Sequence, residues 1–228
     1  MKTDGGTEAQ KRRAGESAAG LVEDGQTVGL GTGSTAAHAI RALGRAVDEG
    51  LDVRGVATSF ASRRLAREVG VPLVSLDEVE RIDLTIDGAD QVAAGDLVKG
   101  GGAAHAREKV VAAASERFVV VVDPSKEAEA LDHPVPVEVL PAARTTVARH
   151  VREAGGDPDL RAAERKDGPV VTDNGNLVLD CDFGAVDDPA ALAATLSGTP
   201  GVVEHGLFVG LADEVHCGRA DGVDVTRP

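Results

Sequence analysis

The stretch 86–109, IDGADQVAAGDLVKGGGAAHAREK, brings acids, an ammonium and a glycine run close together. Asp87 and Asp90 close an apolar run, and Lys99 follows nine residues later, directly before Gly100, Gly101 and Gly102. Successive glycines let the backbone approach a ligand without Cβ interference. The helical pattern that begins at once behind them carries Arg107, Glu108 and Lys109. A helix start offers N–H groups and a positive dipole end to an anion. Acid, ammonium and anion nest together suit proton transfer on a small anionic molecule.

Counting that helix from Ala103 at 100° per residue puts Ala103, Ala104, Val110, Val111, Ala114 and Phe118 on one face. Glu108 lies at its edge and Arg107 nearer its middle. A carboxylate half-turned into apolar surroundings is hard to ionise, so its pKa should rise. That prepares a glutamate as general base or acid near neutral pH. A buried Arg107 needs a carboxylate, for which Asp87 and Asp90 are the candidates. His105 falls on the outer face and is expected to meet solvent. Each residue also has a plainer reading: Glu108 as a surface glutamate paired along the helix, Asp87 and Asp90 as turn caps, and Lys99 as the partner of a surface acid.

A second glycine turn lies at 31–35, GTGST, between an apolar strand pattern and an Ala-rich helix. Ser34 or Thr35 is placed to cap that helix, and the strand–turn–helix order makes a phosphate site. It is not a P-loop, because no Lys follows the glycines. Nor is it a dinucleotide fingerprint: from Gly29 the third glycine position is Ser34, and Thr58-Ser59 replaces the acid expected after the second strand.

The elements that must carry these residues follow from periodicity. Residues 1–8 are polar and expected to be disordered. Helices are predicted at 9–22, from about 36, at 60–69 and 103–116, and strands at 27–31, 53–58, 71–76, 82–86 and 118–122. Ser75 and Glu78 have capping-box spacing, and 92–98 forms a small hairpin turning at Ala94-Gly95-Asp96. GTGST, DGAD and DPSK all follow strands, where open α/β sheets bind ligands. Beyond Leu131 the pattern changes: strand 135–139, helix 142–154, antiparallel strands 160–164, 169–171 and 177–181 around a turn at Asp173–Asn176, helix 189–197 and strand 202–208. That alternation is α+β in style.

DGAD, KGGGAA and REK, together with GTGST, TSF at 58–60, DPSK at 123–126, PVPVEV at 134–139, TDNGN at 172–176 and EHGLF at 204–208, closely resemble ribose-5-phosphate isomerase of the A type. The resemblance runs in order from about Lys11 to the end. It implies a Rossmann-like open, mostly parallel sheet with helices on both faces, in a catalytic domain of 1–131 and 207–228. A smaller α+β domain, 132–206, is inserted, and the last residues return to the first sheet. It implies an aldose–ketose isomerase interconverting ribose 5-phosphate and ribulose 5-phosphate through an enediolate, as a homodimer or homotetramer. Catalysis then falls to Glu108 as base, with Asp87 helping to open the furanose ring and Lys99 stabilising the enediolate oxygen. Thr32, Gly33, Ser34 and Thr35 would cradle the phosphate. Asp87, Gly88, Ala89, Asp90, Lys99, Gly100, Gly101, Gly102 and Lys126 would meet the rest of the substrate, and Lys11 could reach the phosphate. Two other functions share parts of this pattern. A non-catalytic sugar-phosphate sensor would carry an N-terminal DNA-binding module and lack KGGG…E; an amino-sugar-phosphate isomerase or deaminase would differ in substrate.

Composition narrows the field further. The net charge of −14 over 228 residues, with no Trp or Tyr, argues against nucleic acid. No membrane-spanning run or signal-peptide pattern is visible, so a cytoplasmic protein is expected. The six histidines show no metal-ligand spacing, and neither metal nor cofactor is expected. Cys181 and Cys217, far apart, are expected to be buried small hydrophobes. Arginine strongly outnumbers lysine on a strongly acidic chain, a composition suited to high salt. Self-repulsion should then weaken the fold in dilute buffer. Melting temperature is expected to rise steeply from dilute buffer to molar KCl; a flat profile would remove this reading.

Overall fold

The computed structural model describes residues 6–228. The polar lead at 1–5 lies outside the described residues, and Thr7 already caps the first helix in a capping box with Gln10. The chain runs α1 (Glu8–Ala19), β1 (Thr27–Leu30), α2 (Ser34–Asp48), β2 (Arg54–Ala57), α3 (Phe60–Glu68) and β3 (Leu84–Gly88). A hairpin of β4 (Gln91–Ala93) and β5 (Asp96–Val98) precedes α4 (His105–Ala113) and β6 (Phe118–Val122). Then come β7 (Val135–Val139), α5 (Arg144–Glu153), β8 (Asp157–Leu160), β9 (Leu177–Asp182) and α6 (Pro189–Ser197). Four strands close the chain: β10 (Val202–His205), β11 (Leu207–Phe208), β12 (Glu214–Gly218) and β13 (Val223–Thr226).

The chain divides into two compact units. The first takes the described residues up to Ala89, Arg107–Glu127 and Leu211–Pro228. Its six-stranded sheet has the order β13-β12-β6-β3-β1-β2. All pairs are parallel except the edge pair β12–β13. The return to the first sheet is therefore made by β12 beside β6. The all-apolar run of β6 is wholly buried, as a strand covered on both faces requires. Leu84 and Ile86 pack on one face with Ala14 and Ala18 of α1 and Ala39 of α2. Thr85 points to the other face, where its hydroxyl lies 2.6 Å from Ser115 Oγ and Val111 of α4 clusters with Val56 and Ile82. Helices thus cover both faces of a mostly parallel sheet.

The second unit takes Asp90–Ala106 and Ala128–Gly210. It is α+β, with a four-stranded antiparallel sheet in the order β10-β7-β9-β8 and a three-stranded sheet in the order β11-β5-β4. Its core gathers the valines of β7 with Val147 and Val151 of α5, Leu179 of β9 and Leu196 of α6. Residues 90–106, which the sequence reading grouped with the Rossmann-like part, belong here because β5 pairs with β11. The strand expected over 202–208 breaks at Gly206: β10 pairs with β7 and β11 with β5.

Three expected strands are reduced. At 71–76 only Leu73 bridges, to Gly55, since Pro72 lacks the N–H a ladder needs. At 169–171 single bridges remain at Pro169 and Val171. The strand placed at 160–164 lies earlier, at Asp157–Leu160.

Within the first unit, an ionic cluster around the buried Glu214 and His216 fixes the C-terminal return. Glu214 Oε1 accepts from Arg117 and from Arg227 Nε (3.0 Å), while its Oε2 lies 3.2 Å from His216 Nε2. His216 Nδ1 is 2.9 Å from Ser17 Oγ of α1. Burial pushes the Glu214 carboxyl up, but hydrogen bonds from His216, Arg117 and Arg227 outweigh it and hold it at about 2. A folded pKa below the unfolded one stabilises the fold above the unfolded value and loses that contribution as pH falls through the folded value. Glu214→Gln is expected to lower the melting temperature at pH 7 by several degrees. The gap to the parent should narrow as pH drops from about 4.5 toward 2. A gap that stays constant over that window would show that the charge of Glu214 does not support the fold.

Candidate active site

In the first unit, parallel pairing of β1 with β2 and β3, and of β3 with β6, brings Gly31, Thr58, Asp87 and Asp123 to one carboxyl edge. Asp87 is 1% exposed. Its Oδ1 accepts the N–H of Thr32 (2.9 Å) and of Gly88 (2.7 Å). Gly31 is required there, because a Cβ would overlap the Asp87 carboxylate. The Thr32 hydroxyl turns inward, 2.9 Å from Thr58 Oγ1, and donates to Ser59 Oγ at 2.7 Å. Ser59 in turn caps α3. The second strand end, Thr58-Ser59, thus braces the glycine turn.

The start of α2 differs from expectation. Neither Ser34 nor Thr35 caps it: the N-cap is Gly33 at φ +116°, and it makes no side-chain cap hydrogen bond. Helix N–H groups are thereby left to an incoming anion. Ser34 is exposed beside them and Thr35 buried. Lys126 ends a short 3-10 turn after β6, whose N-cap is Asp123. Burial pushes the Asp123 carboxyl up, yet hydrogen bonds from Ser125 and from the Gly6 N–H hold it below the usual range. Lys11 forms an ion pair with Glu8 at 3.4 Å.

In the second unit the hairpin β4–β5 turns through Ala94 and Gly95, both at positive φ, and delivers Lys99. That lysine is 2% exposed, and its Nζ lies 5.4 Å from the centre of the Phe208 ring. Its N–H donates to Gly206 O at 2.8 Å. Gly100, at φ +107°, opens a tight turn closed by the Ala103 N–H on Gly100 O at 2.9 Å. Asp90 Oδ2 accepts the Gly101 N–H at 2.7 Å. Ala103, expected to start the helix, instead sits at φ +57°, so α4 begins at His105.

The buried stripe of α4 also departs from the sequence reading. Just before and along α4 the buried residues are Ala104, His105, Ala106, Glu108, Val111 and Ala112, and all but Ala106 share one face; Val110 is exposed and Arg107 half-buried. Glu108, 4% exposed, stands in the middle of the stripe and not at its edge. His105, expected in solvent, is 0% exposed: it fills the space a side chain at Gly100 would need and its Nε2 lies 3.3 Å from Glu204 O. The Arg107 guanidinium lies 5.3 Å over the Phe60 ring. Two polar residues thus occupy positions that hydrophobic counting gives to Val110 and Arg107.

Each unit therefore presents backbone N–H groups beside fixed carboxylates, an arrangement for holding an oxyanion and moving protons. Among the described residues no group of His, Cys, Asp and Glu is placed to hold a metal ion. Sequence reasoning assigned no role to Phe208, which faces the Lys99 ammonium, or to Thr58 and Ser59, which brace Thr32. Their signal was only their place in EHGLF and TSF.

Similarity to known proteins agrees with this geometry. The family model for ribose 5-phosphate isomerase A (phosphoriboisomerase A) matches residues 54–222. A ribose-5-phosphate isomerase A from Haloarcula marismortui is 70% identical over 221 residues, covering 97% of this chain and 96% of the relative. One from Halorubrum lacusprofundi is 68% identical, with both chains fully covered. The solved ribose 5-phosphate isomerase A of Methanocaldococcus jannaschii superposes with a TM-score of 0.94 at 43% identity, over 98% of this chain and 100% of that one. A D-ribose-5-phosphate isomerase solved in complex with phospho-erythronic acid gives 0.95 at 39% identity, with coverage of 98% and 100%. The chain belongs to the ribose 5-phosphate isomerase A family.

Proposed function

We propose that this chain carries out the family's interconversion of ribose 5-phosphate and ribulose 5-phosphate with Glu108 as the single proton-transferring base. The observation that carries the assignment is the burial of Glu108 in the middle of the α4 stripe, six residues beyond the glycine turn. A carboxylate withdrawn from water is a stronger base toward a carbon acid than a hydrated one.

The phosphate sits on the uncapped N-terminus of α2, against Gly33, Ser34 and Thr35, with the Thr32 backbone shaping the turn. Lys126 adds a charge to that end. Asp87, flanked by Gly88 and Ala89, assists proton movement when the furanose ring opens, and Asp90 holds a sugar hydroxyl. In the open-chain aldose, Glu108 takes the proton from C2. The C2–H electrons form a C1–C2 double bond, and the carbonyl electrons move onto O1. Lys99 and the N–H groups of Gly100 and Gly102 stabilise that oxygen, while the Gly101 N–H, expected to join them, is held by Asp90 Oδ2. Glu108 then returns the proton to C1, and the O2 hydroxyl proton passes to O1, leaving the ketose. An enediolate held by an ammonium and amides needs no metal. The proposal includes a cytoplasmic homodimer or homotetramer, as the sequence resemblance implies. The relative that binds phospho-erythronic acid supports a site sized for a short phosphorylated acid or sugar.

Glu108→Gln is expected to lower kcat by about a thousandfold, the scale of a lost general base, while KM stays within about threefold because binding is left intact. Retention of more than a tenth of the rate would overturn the assignment. In a coupled assay, ribose 5-phosphate should turn over and glucosamine 6-phosphate should not. EDTA is expected to leave turnover unchanged; loss of activity with EDTA, restored by a divalent ion, would contradict the mechanism.

A further inference from the structure

A single guanidinium holds the glycine turn in shape. Arg161 Nη1 donates to Gly100 O at 2.8 Å and lies 3.4 Å from Gly101 O, although these residues are about sixty positions apart in the chain. Its other nitrogens grip Asp180: Nε donates to Oδ2 at 2.8 Å and Nη2 to Oδ1. Both partners are largely buried. The Arg161 backbone is fixed as well, since its N–H continues the β8–β9 ladder onto Val178 O at 3.0 Å. Asp180 lies on β9 within the same sheet.

This arrangement acts on peptide planes. In a trans peptide the C=O and the next N–H point in opposite directions. Gripping Gly100 O from one side therefore turns the Gly101 N–H away, toward Asp90 Oδ2. Gripping Gly101 O turns the Gly102 N–H away in the same manner, and Gly102 is exposed. Glycine has no side chain to define such a turn, so something outside it must. His105 fills one flank of Gly100, and Arg161 supplies the directional hold. Lysine cannot replace it: one ammonium does not span both oxygens of Asp180 while also reaching the turn.

We infer that Arg161, held by Asp180, is a positioning residue that aims the Gly102 amide N–H at the oxygen that becomes negative during isomerisation, while the Gly101 N–H stays on Asp90. The inference rests on the proposed role of that turn in holding the enediolate. It concerns a residue that touches no reacting atom.

The test uses the full-length protein with Arg161→Lys, Arg161→Ala and Asp180→Asn, and phospho-erythronic acid as the binding probe. Arg161→Lys is expected to fold with a melting temperature within a few degrees of the parent. Its kcat/KM should fall about tenfold or more, mostly in kcat, as when an oxyanion donor is misaimed. Phospho-erythronic acid should bind correspondingly more weakly. Asp180→Asn should show a smaller loss of the same kind, and added guanidinium should restore part of the activity of Arg161→Ala. If Arg161→Lys folds and keeps both kcat/KM and acid affinity within twofold of the parent, the inference fails. It fails equally if kcat/KM falls while acid affinity does not. Acid binding does not depend on a base, so an active Glu108→Gln would sink the assignment of Glu108 while leaving the Arg161 result to stand or fall alone.

Discussion

Asp87 can be buried at the end of β3 only because the residue beside it, the first after β1, is a glycine. With no Cβ at Gly31, the carboxylate enters the space between the two strands and collects the N–H groups of Thr32 and Gly88. The acid and the glycine turn thus share one anchor, and neither can shift without the other. Parallel pairing of β1 with β3 sets the register that makes this possible. Thr58 and Ser59 brace the same turn from β2. Polar groups of the first unit are therefore fixed before any substrate arrives, which is what electrostatic catalysis requires.

The second unit solves a related problem by different means. Its glycine turn has no side chains of its own, so Arg161, Asp90 and His105 hold it from outside. Burying Lys99, Asp87, His105 and Glu108 disfavours folding unless each is well supported. Concentrating such groups in one sequence stretch is what the proposed site asks of the fold at a cost in stability. The Arg161–Asp180 pair shows the same logic: one fork of the guanidinium is spent on a carboxylate so that the remaining nitrogen reaches a backbone turn in a fixed direction.

Much of this was legible in the residues. Glycine turns, the acids at strand ends and the all-apolar β6 follow from local rules, whereas the ordered start at Thr7, in a stretch expected to be disordered, does not. What escaped was decided by contacts between distant residues. Val71–Leu76 is as apolar as a strand, yet Pro72 leaves it a single bridge. The run from Val202 to Phe208 looks continuous, but Gly206 divides it between two sheets. Helix α4 was misphased because hydrophobic counting cannot know that His105 and Glu108 are buried while Val110 is exposed. At those positions polar side chains take buried places that the apolar pattern does not mark. Arg161 gave no signal at all, since its partner Asp180 and its target Gly100 are remote in sequence and converge only in the fold.

The central claim is that a buried glutamate and a rigid amide turn meet the same two carbons of a phosphorylated sugar. A crystal structure of this protein with phospho-erythronic acid tests it most directly. The account predicts the Glu108 carboxylate within about 3.5 Å of the acid's carboxyl-end carbons, a near-attack distance. It also predicts the acid's carboxylate on the Gly102 N–H and its phosphate on the start of α2. An acid seated on the turn with Glu108 pointing into bulk solvent, or well beyond that reach, would contradict it.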